Sequence, residues 1–130
     1  AFRAFLLKPS MGPPVPEAKA RATRDQLAGS RVKFFNRRIP PSGPGIMFFS
    51  GGHSEVEATQ NLNALNKGPN RGNVSFSYAR ALKKTCLKTW GGQPTRVKAA
   101  QNPLLLPARA NSLAQFGRST SNGKAARAKE

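Results

Sequence analysis

Gly45-Ile46-Met47-Phe48-Phe49-Ser50-Gly51-Gly52 is a continuous apolar run that ends on a serine and two glycines. Such a run marks a strand covered on both faces, as in a parallel sheet. The glycines turn the chain, and Ser54-Glu55-Val56-Glu57 then has the spacing of a capping box. Behind it Ala58, Leu62 and Leu65 recur at i, i+4 and i+7, which is one face of a helix. The same order repeats downstream. Residues 68–72 are a polar turn, 74–78 read as a strand, and 79–90 read as a helix stopped by Gly91-Gly92. Upstream, residues 2–8 read as a buried strand, and 11–22, rich in proline and then in charge, as an exposed loop. Thr23-Arg24-Asp25-Gln26 offers another capping box. Leu27, Val32, Phe34 and Phe35 give partial helical periodicity up to Arg38, weakened by Gly29 and Ser30 and ended by the prolines that follow. Strand, loop and helix, three times over, is the grammar of a parallel α/β fold.

The chain has 130 residues, whereas a complete barrel of eight strands and eight helices typically needs about 250. It starts at Ala1 without a signal-peptide pattern, and no apolar run is long enough to span a membrane. Three parallel strands by themselves leave open edges, so the expectation is a fragment that is incomplete on its own. Lys and Arg number 22 against 5 Asp and Glu, a formal charge of +17, which by itself points to nucleic acid or another polyanion. The single cysteine, Cys86, excludes an internal disulfide framework, and the single histidine, His53, has no Cys or carboxylate cluster to make a metal site.

Phe5-Leu6-Leu7-Lys8-Pro9-Ser10 delivers one lysine at the end of an apolar stretch. An ammonium in apolar surroundings loses solvation, its pKa falls, and the neutral amine can form a Schiff base with a carbonyl substrate. Taken alone, the hexapeptide fits better an ordinary strand-end lysine reaching solvent.

Three segments together change that weighing. Leu6-Leu7-Lys8-Pro9-Ser10-Met11, Pro44-Gly45-Ile46-Met47-Phe48 with Ser50-Gly51-Gly52, and Ser75-Phe76-Ser77-Tyr78-Ala79-Arg80-Ala81-Leu82 occur in this order, joined by Asn61-Leu62-Asn63-Ala64, Cys86-Leu87-Lys88-Thr89-Trp90-Gly91-Gly92 and Ala110-Asn111-Ser112-Leu113-Ala114-Gln115. Over nearly its whole length the chain resembles the C-terminal part of class I fructose-bisphosphate aldolase, and most closely the plastid form. The fold that this implies is about the last three βα units of a TIM (β/α)8 barrel, with residues 1–117 the barrel portion and 118–130 a flexible basic tail.

The resemblance implies a carbon–carbon lyase that cleaves fructose 1,6-bisphosphate reversibly, in the chloroplast, or as second choice the cytoplasm. Lys8 matches the family's Schiff-base lysine. Ser50, Gly51 and Gly52 match its phosphate loop, where glycines let backbone N–H groups approach an anion. Arg80 matches its phosphate-binding arginine, supported by Ser77, because a guanidinium grips phosphate through parallel donors. Neither metal nor cofactor is expected. The partners implied are a sugar-phosphate substrate and further copies of the full-length chain, commonly four. No membrane partner is expected, and nucleic acid is suggested by charge alone, as an aldolase-derived basic module without catalysis.

The departures from the family matter as well. Its acid/base glutamate and second lysine belong to strands outside this chain, so the isolated 130 residues are expected to lack turnover. Arg3-Ala4 stand where the family has glutamate and glycine. Across residues 95–116 the family has one long helix, and Pro103 and Pro107 are expected to break or fray it here, since an interior proline costs about 3 kcal/mol.

Overall fold

Two capping boxes begin the first two helices, as the serine, threonine and acidic or amide spacing requires. Thr23 Oγ1 accepts from the Gln26 N–H while the Gln26 side chain accepts from the Thr23 N–H, opening α1 (Arg24–Arg38). Ser54 and Glu57 exchange the same pair of bonds and open α2 (Glu55–Lys67). The computed structural model describes residues 5–11, 23–40, 43, 45–68 and 74–120. The other elements among the described residues are β1 (Ile46–Phe48), β2 (Val74–Phe76), α3 (Arg80–Trp90), a 3-10 turn (Pro94–Arg96) and α4 (Val97–Ala114). Gly91, with φ at 58°, closes α3 in the left-handed region where glycine avoids a Cβ clash.

β1 and β2 pair in parallel, with Ile46 opposite Val74, Met47 opposite Ser75 and Phe48 opposite Phe76. Residues 5–10 lie along the other edge of β1, where Leu7 bridges Ile46 and Ser10 bridges Phe49. The order across the sheet is therefore the order in the chain. Side chains alternate across a strand, so register decides which residues share a face. Ile46, Phe48 and Val74 are buried with Ala28, Leu62, Leu65 and Ala114, and the Phe35 ring meets Phe48 edge-on at 5.6 Å. The helices thus cover one face of the sheet. Ala58, Leu62 and Leu65 form the expected buried stripe of α2. On α1, Gly29 and Ser30 do not interrupt the helix, because Ala28, Val32, Phe35 and Ile39 seat it on that core.

Three expectations are corrected. Residues 5–8 were expected as part of a buried strand, yet Phe5, Leu6 and Leu7 are 64%, 59% and 46% exposed, and only bridges form. They pair with β1 on one side, and among the described residues nothing covers the other (residues 2–4 lie outside them). Met11 does not belong to an exposed loop. It is 5% exposed and packs in the core. The prolines do not break the last helix: α4 runs from Val97 to Ala114 with Pro103 and Pro107 inside it. Ala100, Ala110, Asn111 and Ala114 are buried and the two prolines half-buried, at spacings that make one stripe, which packs along α3 and α2. Tertiary packing of that stripe, rather than propensity, sustains the helix.

The end of α4 is tied down. Ser75 Oγ donates to Gln115 Oε1 at 3.1 Å, and the Ser119 N–H donates to Asn63 Oδ1 at 2.9 Å. Residues 121–130 of the expected tail lie outside the described residues. No helix among the described residues is long and apolar enough to cross a membrane.

Candidate active site

The register of the sheet decides which site residues meet. Leu7 opposite Ile46 and Ser10 opposite Phe49 put Lys8 opposite Met47, which is itself opposite Ser75. Lys8 and Ser75 therefore share the face turned away from Ile46, Phe48 and Val74, and Ser77, two residues on from Ser75, belongs to the same alternation. The Ser77 N–H donates to the Phe48 carbonyl at 2.8 Å, which extends the pairing one residue beyond β2. By this register Lys8 lies level with Met47 and Ser75. Ser50 comes three residues further along its segment and Ser77 two further along its own, and Arg80 follows three residues beyond Ser77 as the first residue of α3.

Local geometry at each position follows from the residue types. The turn after β1 closes with the His53 N–H donating to the Ser50 carbonyl at 3.1 Å, and both central residues have positive φ, 57° at Gly51 and 92° at Gly52. An L side chain is strained there, which is why two glycines follow one another. A Cβ on Gly52 would meet no atom within 4 Å, so the glycine opens the turn toward free space. Among the described residues the N–H groups of Gly51 and Gly52 make no hydrogen bond.

The two helix starts beside the sheet differ. At α2 the Ser54–Glu57 box fills the first turn with its own acceptors. At α3 no side chain caps the start, no acid lies in the first turn, and Arg80 is exposed at its head. A cation at the positive end of a helix dipole is unfavourable by about 0.3–1 kcal/mol, and an anion bound there relieves both this charge and the unpaired N–H groups.

Lys8 is exposed, so the described residues do not supply the apolar enclosure that would free its amine. A cavity of about 760 Å3 follows the outer edge of residues 5–9 and the end of α1, lined by Phe5, Leu7, Phe34, Phe35 and Ile39 among others. It reaches Lys8 but none of Ser50, Gly51, Gly52, Ser77 or Arg80. Its walls are apolar, and it borders the edge of residues 5–9 that pairs with no strand among the described residues.

Several supporting residues carried no signal in the sequence. Arg31 Nη1 donates to the Ser10 carbonyl at 2.7 Å, fixing the chain two residues after Lys8 from a distance of 21 positions. Glu55 accepts from the Thr85 hydroxyl at 2.6 Å and from its N–H at 3.0 Å, joining the start of α2 to α3. The Tyr78 hydroxyl donates to the Ala58 carbonyl at 3.2 Å, and burial pushes its pKa well above the ordinary phenol value, so it stays a donor. His53 places Nδ1 at 2.6 Å from the Ser50 carbonyl. Each of these pairings spans elements or a turn, which periodicity cannot report.

The family model for class I fructose-bisphosphate aldolase, described as glycolytic, matches residues 1–130. The chain is 67% identical over 129 residues to the chloroplastic fructose-bisphosphate aldolase of Oryza sativa subsp. japonica, covering 99% of this chain and 33% of that protein. It is 60% identical to the chloroplastic aldolase 2 of Arabidopsis thaliana, over 99% of this chain and 32% of the relative, and 53% identical to the chloroplastic aldolase 1 of Chlamydomonas reinhardtii, over 96% and 34%. Among solved structures, fructose-bisphosphate aldolase from Plasmodium falciparum, in complex with TRAP and a small-molecule inhibitor, superposes with a TM-score of 0.84 at 42% identity, over 88% of this chain and 33% of that one. The chain therefore spans about a third of the length of the relatives it matches. Nothing in these likenesses favours the nucleic-acid reading of the charge. The parallel strand order, the α/β alternation of a barrel segment and the family match over every residue agree: this chain belongs to the class I fructose-bisphosphate aldolases.

Proposed function

We propose that the protein carrying this chain cleaves fructose 1,6-bisphosphate reversibly to dihydroxyacetone phosphate and glyceraldehyde 3-phosphate, in the plastid, and that these residues form about the last three βα units of its barrel. The observation that carries the reading is the register that puts Lys8, the Ser50 turn and Ser77 on adjacent parallel segments, the turn and Ser77 within three residues of the level of Lys8 toward the carboxyl ends. Barrel enzymes of this kind build their sites there, with phosphate commonly at the loops after the last strands. The chloroplastic names of the relatives support the compartment. A sugar-phosphate substrate and a homo-oligomeric parent protein follow from the same family reading.

In this reading the neutral Lys8 amine attacks the ketone carbon, water leaves, and a protonated imine forms. When the hydroxyl on the carbon beyond the adjacent one gives up its proton, the carbon–carbon bond breaks. The aldehyde departs, and the bonding pair flows into the imine to give an enamine. Protonation of the enamine and hydrolysis release the ketone and the lysine. Gly51 and Gly52 offer their unpaired N–H groups to one phosphate, with Ser50, Ser77 and Arg80 as side-chain donors to it. The proton carriers and the enclosure of the amine come from strands outside this chain.

Borohydride reduction tests the assignment. The full-length protein incubated with dihydroxyacetone phosphate should carry a reduced adduct on the peptide containing Lys8, and Lys8→Met should abolish it. An adduct that persists in Lys8→Met removes Lys8 from its role.

A further inference from the structure

We infer that the His53 imidazole is a positioning residue for the phosphate turn, holding the Gly51 N–H outward by pinning the Ser50 carbonyl; this rests on the reading of residues 50–52 as that turn. The Ser50 oxygen receives two donors from the same residue, the His53 backbone N–H at 3.1 Å and the ring Nδ1 at 2.6 Å. A carbonyl oxygen has two lone pairs and no proton, so Nδ1 carries the hydrogen and both acceptor places are filled. The peptide unit is planar and trans, so its C=O and N–H point in opposite directions. Fixing the Ser50 oxygen into the turn therefore fixes the Gly51 N–H away from it.

The pin matters because the turn has little stiffness of its own. Gly51 and Gly52 take either sign of φ at little cost, so the Ser50–Gly51 peptide unit turns over easily when unsupported. A unit turned over presents a carbonyl oxygen to the phosphate in place of an N–H. The effect falls on substrate affinity and leaves the lysine chemistry alone, since His53 touches the turn and not the sheet position of Lys8.

Steady-state kinetics on fructose 1,6-bisphosphate, in the full-length protein, separate this role from a merely structural one. His53→Ala should raise KM about fivefold, the worth of one net hydrogen bond, with kcat unchanged. His53→Gln, whose side-chain amide can donate to the same carbonyl, should recover most of the loss. If His53→Ala does not fold, His53→Gln and His53→Leu, similar in size and differing in the ability to donate, make the same comparison. An unmoved KM, or a Gln variant no better than the apolar one, overturns the assignment. Borohydride trapping in the unsubstituted protein keeps the two failures apart. An adduct at Lys8 with KM unmoved sinks only the role of His53, whereas no adduct at Lys8 sinks the aldolase reading on which the inference rests.

Discussion

Gly117 shows how much a single missing Cβ decides in this chain. It follows the last turn of α4 with φ at 68°, and its N–H donates to the Ala114 carbonyl at 3.0 Å. A Cβ there would stand 2.8 Å from the Asn66 carbonyl oxygen and 3.2 Å from its carbon. Both are backbone atoms of α2 and cannot swing aside. Gly117→Ala thus combines a strained φ with a backbone clash and should destabilise the full-length protein by about 1–3 kcal/mol, read as a lower denaturation midpoint. An unchanged midpoint would mean that the end of α4 is not seated on α2. No sequence pattern singles out Gly117, because the atom it makes room for belongs to a residue 51 positions away. Lys8 is the opposite case. Its position at the end of an apolar stretch is legible, but its exposure is not, since that depends on which segments meet it across the sheet.

At the scale of elements, local chemistry and tertiary packing divide the work between the helices. α1 and α2 begin where threonine and serine find a partner three residues on, and α3 ends where Gly91 enters the left-handed region. These boundaries are short-range, so the sequence shows them directly. α4 is different, because its two prolines argue for a break and the buried stripe beneath them overrides it. Pro103→Ala restores a backbone donor inside the helix and should raise the thermal midpoint of the full-length protein, by up to about 3 kcal/mol in stability if the ring contributes little to packing. A midpoint that stays or falls would show that the half-buried ring is worth as much as the missing hydrogen bond.

For the whole molecule the decisive feature is the sheet edge that no strand covers among the described residues. Residues 5–9 and the end of α1 enclose an apolar groove of about 760 Å3, with Phe5 and Leu6 well over half exposed. Exposed apolar area of this kind marks a surface built to be covered. Expressed alone, the 130 residues should therefore enhance the fluorescence of a hydrophobic dye well beyond the full-length protein at equal concentration, and should show no aldol cleavage. Dye binding equal to that of the full-length protein would mean that the groove closes on itself. The charge of +17 belongs to this scale too, and it identifies no partner.

The sequence by itself determined the alternation of strands and helices, both capping boxes, the apolar stripe of α2 and the kinship of the chain, because each is written in neighbours a few positions apart or in phrases kept whole. Only the tertiary structure decided that α4 stays continuous through its prolines, that Met11 lies in the core, that residues 5–8 are left bare, and that Lys8 shares a sheet face with Ser75. Those outcomes depend on which surfaces meet across the sheet, and the free energy of burying a stripe or leaving an edge open is a property of the pair of surfaces, not of either segment.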